Sequence, residues 1–116
     1  MTTTQDELQN KIIQIAGRYL NRVTREVGEL RAMIDKAGSS DMDVMRDIEA
    51  LTHRMQGSGA MLRFDEISGQ AGAMEKMAAG FLAAGQADPP RMLELLQRLQ
   101  VAIDKACTER DQQAAK

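Results

Sequence analysis

The chain has 116 residues, a formal net charge of −2, one histidine, one cysteine and no tryptophan. That length supports one domain with one core. The missing basic cluster argues against a nucleic-acid partner, and the lack of an apolar run near ~20 residues argues against a membrane span. Met1-Thr2-Thr3-Thr4-Gln5-Asp6 has neither the basic nor the apolar region of a signal peptide. Cys107, alone, forms no internal disulfide, so the expectation is a soluble cytoplasmic protein.

Good helix formers dominate, and four helical segments are predicted. The first opens on Thr4-Gln5-Asp6-Glu7, a capping box with Thr4 as cap. Leu8, Ile12, Ile15, Tyr19, Val23, Val27, Leu30 and Ile34 follow at helical spacing, and Gly38 is the expected stop. Ser40 is the expected cap of the second helix, whose core stripe is Met45, Ile48, Leu51, Thr52, Met55 and Leu62. No proline or glycine marks the next break. It is placed near Arg63-Phe64-Asp65 because Asp65 can cap and the apolar phase restarts at Ile67, Ala71, Met74, Ala78 and Phe81. Gly85 closes the third helix, and Asp88-Pro89-Pro90 opens the fourth, with proline at the first helical position. Met92, Leu95, Leu96, Leu99, Ile103 and Ala106 form its core face, and the polar stretch 110–116 is expected to fray. Short connections make successive helices antiparallel neighbours. The predicted fold is all-α, an antiparallel up-down-up-down four-helix bundle spanning 1–116 as one domain.

The single histidine stands out against this frame. At 100° per residue, His53 lies roughly 140° from the middle of the second helix's stripe, so it points away from the core. One turn on is Gly57, which has no side chain to shield the ring and which costs about 1 kcal/mol in a helix relative to alanine. Met61, two turns on, joins Ala50, Gly57 and Ala60 in a small apolar surface around the imidazole, a candidate docking patch. Met33, Met45, Met55, Met74 and Met92 fall on or near core stripes and read as gap-fillers. Cys107 reads as a small half-buried residue.

The chemistry open to one outward histidine is narrow. No second histidine or nearby cysteine completes a metal site. No nucleophile elbow accompanies it, and a convex bundle offers no substrate cleft for a hydrolase. Nucleophilic attack by the neutral ring on a phosphoryl group remains, provided an acceptor holds the proton of the other nitrogen. Two carboxylates are candidates for that acceptor. Glu49 lies one turn earlier on the same helix. Glu75 lies at the edge of the third helix's stripe, where Ser68, Gly72 and Ala79 leave room for the ring.

His53-Arg54-Met55-Gln56-Gly57-Ser58-Gly59-Ala60, followed by Phe64 and by Met74-Glu75, resembles the histidine phosphotransfer (HPt) domain family. The family pattern is a histidine, usually a lysine three residues on, a glycine four on, a small residue five on, and a Leu-Glu-like pair in the next helix. The resemblance is carried by residues 50–77, and the four-helix architecture extends it over the chain. It implies a bundle that accepts a phosphoryl group on His53, with Gln56, Gly57, Ser58 and Glu75 around it. Glu75 falls where the family places the residue that hydrogen-bonds the ring. The implied partners are receiver domains and a hybrid histidine kinase, with magnesium carried by the receiver's acidic site. The expected protein is a monomer that holds no cofactor or metal of its own, has no nucleotide-binding loop and does not use ATP.

Two positions depart from the pattern. Gln56 replaces the usual lysine, so a neutral amide stands where a cation would meet the phosphoryl group. Arg54 and Arg63 are candidates to compensate, although Arg54 is expected on a different side of the helix. Arg63 stands where many members have glycine. Gln56 also keeps open a second function: a non-catalytic helical module that docks on a receiver or kinase and inhibits it.

Overall fold

The computed structural model describes residues 3–114. Four helices follow one another: α1 Thr3–Lys36, α2 Met42–Met61, α3 Asp65–Ala84 and α4 Pro89–Ala114. Among the described residues each helix packs its backbone on its neighbours in the ring α1–α2–α3–α4–α1, and the diagonal pairs lie further apart. Facing residues run in opposite order along each pair. Tyr19 of α1 meets Met55 of α2, His53 of α2 meets Glu75 of α3, and Thr24 and Asn21 of α1 meet Cys107 and Arg110 of α4. This is the up-down-up-down four-helix bundle that short connections dictate.

The helix ends differ in detail from their sequence signals. α1 is already helical at Thr3, so Thr4 lies inside it and caps nothing. Asp41, not Ser40, precedes α2, and Phe64, not Asp65, precedes α3. Neither residue makes a side-chain capping bond. Gly85 does end α3, in the left-handed conformation that glycine takes without strain (φ 69°). The α2–α3 break is made by Arg63, at φ 66°. A side chain in that region costs roughly 1–2 kcal/mol, which explains why glycine suits the position. α4 remains helical through Ala114, further than the polar tail suggests, and the Arg110 guanidinium donates to Asn21 Oδ1 of α1 at 3.1 Å. Residues 115–116 lie outside the described part.

The core is built from the predicted stripes. Leu30, Ile34, Met45, Ile48, Met74, Met92, Leu96, Leu99 and Ile103 are fully enclosed, and burying each such side chain contributes about 1.5–3 kcal/mol. Thr52, polar and fully buried, satisfies its hydroxyl by donating to the Ile48 carbonyl at 2.7 Å. Leu8, Ile12 and Ile15 depart from expectation. They continue the α1 stripe but are 58%, 57% and 49% exposed. The reason is length. Thirty-four residues span about 51 Å and twenty about 30 Å, so α1 runs past α2 and α3. Its stripe finds a partner only from Tyr19 onward, where the ring stacks on Phe64 at 5.5 Å.

α1, α2 and α3 come together closely at Gly59. A Cβ there would stand 2.7 Å from Tyr19 Oη and 3.4 Å from Ser68 Cβ. The absent side chain lets the Tyr19 hydroxyl reach the Met55 carbonyl, to which it donates at 2.8 Å. Burial pushes the phenol up to about 12, with Arg22 opposing, so it stays a donor across the working range. Gly59→Ala is therefore expected to lower stability by about 1–3 kcal/mol. Gly57→Ala, whose Cβ would meet nothing within 4 Å, is expected to raise it by about 1 kcal/mol. Thermal melts of the two variants check the opposite signs.

Candidate functional site

The core phase of α2 decides where His53 goes. Leu51, Thr52 and Met55 turn inward, and the His53 side chain is left 69% exposed on the outer face. The antiparallel run of α3 then brings Glu75 beside it. His53 Nδ1 and Glu75 Oε2 are 2.7 Å apart. A carboxylate only accepts, so Nδ1 carries the proton and donates it, and in the neutral ring the lone pair is then on Nε2. Glu75 is itself only 26% exposed, at the seam between the two helices. Of the two carboxylates that the sequence offers, Glu75 is the one that reaches the ring. Glu49 lines a shallow hollow with Ala50, His53 and Glu75 and makes no bond to the imidazole.

The close packing of α2 on α3 explains how Glu75 gets there. The Gln56 side chain lies on Gly72, with its Cγ 3.5 Å from where a Cβ on that glycine would stand. Ser68 donates to the Gln56 carbonyl at 3.0 Å. The small residues Ser68 and Gly72 therefore make room for Gln56 and the α2 backbone, rather than for the imidazole as the sequence suggests. Gly57 is open above its Cα, and Ser58 is half-buried toward α1.

On the α1 side, His53 shares a depression of about 420 Å³ with Arg22, Glu26, Arg54, Gly57 and Met61. Met61 is 85% exposed at its rim. Arg22, Ser58 and Met61 also border a larger groove of about 860 Å³ that reaches Ile15, Tyr19 and Leu62 at the foot of the α1 overhang. The two hollows share Arg22, Ser58 and Met61 as lining, so Met61 stands between the groove and the hollow that holds the ring. Arg54 lines the hollows on both sides of His53. Arg63 does not. It lies at the end of α2 in a hollow with Phe64, Glu66 and Lys105. Sequence reasoning missed Arg22, because nothing in the α1 pattern says which of its edge residues will face the outer side of α2.

No group of His, Cys, Asp and Glu among the described residues is placed to hold a metal ion. No described helix is long and apolar enough to cross a membrane.

The profile of the Hpt domain family matches residues 14–112. The chain belongs to the Hpt domain family. Its four-helix bundle is the architecture of that family, and as an Hpt domain it is a histidine phosphotransfer module of two-component signalling, a class that works with receiver domains and kinases. The match begins within α1, so the N-terminal part of the overhang lies outside the Hpt region. No curated protein and no solved structure matches the chain.

Proposed function

We propose that the chain accepts a phosphoryl group on His53 Nε2 from the aspartyl phosphate of a receiver domain, or from a histidine kinase, and passes it to another receiver. The observation that carries this reading is the 2.7 Å contact between Nδ1 and Glu75 on an otherwise exposed ring. It fixes the tautomer with the nucleophilic lone pair on Nε2. In the forward step the lone pair forms the N–P bond. The P–O bond of the acyl phosphate breaks, and its electrons leave on the donor's aspartate. The Nδ1 proton stays against Glu75. Return to a second receiver runs the same step backward. Gly57 and Ser58 share the hollow with the ring, and Met61 with the neighbouring groove supplies apolar surface for a docked partner. Magnesium belongs to the receiver's acidic site.

Removing Glu75 removes orientation, not the nucleophile. Glu75→Ala is expected to slow transfer by about ten- to a hundredfold, the equivalent of about 1.5–3 kcal/mol of charge-assisted hydrogen bond. Initial rates of label transfer from a phosphorylated receiver measure it, and a rate equal to wild type removes Glu75 from the mechanism.

The test of the function is a relay assay. The protein is incubated with a panel of labelled phospho-receivers, then with unlabelled ones. Acid-labile, base-stable label that appears on the chain and then leaves for a second receiver supports the relay. A chain that binds a receiver and blocks its phosphorylation without acquiring label is the inhibitory module instead.

A further inference from the structure

We propose that Arg22 of α1 binds the phosphoryl group on His53, in the role for which position 56 has no cation. The inference rests on the phosphotransfer reading above. A phosphoryl group brings about −1.5 to −2 charge to the ring. Gln56, where the family pattern has lysine, is neutral and its side chain lies against Gly72 of α3. Across the α1 side of the imidazole the depression is open. Gly57 contributes no side chain to it, and a Cβ there would meet nothing within 4 Å. Arg22 of α1 lines the same depression.

The guanidinium of Arg22 is positioned but not committed. Its Cζ lies 5.4 Å from the centroid of the Tyr19 ring, which is itself buried and hydrogen-bonded, so the side chain rests on a fixed platform. Its contact to Glu26 is 3.7 Å, longer than a hydrogen bond, and 46% of the side chain is exposed. Burial holds the Glu26 carboxyl above the ordinary carboxylate range, with Arg22 pulling it back only in part. A loosely held guanidinium facing a new dianion exchanges one weak contact for a forked, charge-assisted pair. Arg54 is the competing cation. It leaves α2 one residue after His53 and about 100° round the helix, so its stem diverges from the imidazole. It also neighbours Glu26, whose carboxyl it draws down. Arg22 takes no part in bond making. The N–P bond still forms from Nε2, the donor's P–O electrons still leave on its carboxylate, and Arg22 neutralises charge on the phosphoryl oxygens.

The experiment separates phosphoryl binding from partner docking by using two donors, phosphoramidate and a phosphorylated receiver. Wild type, Arg22→Gln, Arg22→Lys, Arg54→Gln and His53→Gln are labelled with each, and circular dichroism checks their folds. Arg22→Gln is expected to lose about five- to tenfold in labelling rate with phosphoramidate and to shorten the life of the label. Arg22→Lys should recover part of the rate, and Arg54→Gln should stay within about twofold of wild type. Arg22→Gln that labels normally from phosphoramidate but slowly from the receiver makes Arg22 a docking residue and overturns the proposal. Equal losses in Arg22→Gln and Arg54→Gln overturn it too, by reducing the effect to a general positive field. Wild type left unlabelled by both donors removes the phosphotransfer reading as well, a result distinct from a wild type that labels and an Arg22→Gln variant that labels equally fast.

Discussion

His53→Gln is expected to abolish labelling and leave the fold intact. Position 53 holds the chain's one imidazole, and its side chain is 69% exposed. Exposed substitutions away from special backbone positions change stability by about 0.5 kcal/mol or less, so the variant should melt within a few degrees of wild type. Glutamine keeps a polar donor near Glu75 but has no lone pair nucleophilic enough to attack an acyl phosphate. Incubation with a labelled phospho-receiver, followed by gel autoradiography, gives signal on wild type and none on the variant. Label persisting on a folded His53→Gln protein would place the reaction on another residue.

The second large effect is at Gly57, where access and stability pull apart. Residues four apart on a helix share a face, so a side chain at 57 rises beside the imidazole. The space is empty in the folded protein: a Cβ there meets nothing within 4 Å. Leucine at 57 thus fits without strain and improves helix propensity by several tenths of a kcal/mol. It also fills the hollow that Gly57 shares with His53 and Arg22. Phosphoryl transfer needs the reacting atoms within about 3–3.5 Å in line, and a misplacement near 1 Å costs about a hundredfold. Gly57→Leu should therefore melt at or above the wild-type temperature and transfer at least about a hundredfold more slowly from a receiver. Undiminished transfer in the folded variant would make Gly57 a merely tolerated glycine.

How much of this was legible in the sequence follows from what periodicity encodes. The phase of α2 fixes the direction of His53 because Met45, Ile48, Leu51 and Met55 are all buried on the opposite side. A stripe says which face is apolar, but not how long the neighbouring helices are. Leu8, Ile12 and Ile15 therefore read as core and stand exposed beyond the end of α2. Glu49 and Glu75 could not be separated by spacing alone. Glu75 reaches the ring through the close contact of Gln56 with Gly72 and of Gly59 with Ser68, which is tertiary packing. Arg22 faces the site through the register of α1 on α2, set by the Tyr19 hydroxyl on the Met55 carbonyl above a missing Gly59 side chain. Arg63 was visible as a departure from glycine, and the structure gives the physical reason in its left-handed backbone.

In the proposed relay Glu75 holds Nδ1–H and leaves Nε2 as the nucleophile. Nitrogen-15 and phosphorus-31 NMR of the labelled, phosphorylated protein reads the bonded nitrogen directly. One phosphohistidine is expected, with phosphorus on Nε2 of His53 and a proton on Nδ1 in slow exchange because Glu75 retains it. Phosphorus on Nδ1, or a Nδ1 proton that exchanges equally fast in wild type and Glu75→Ala, would contradict it.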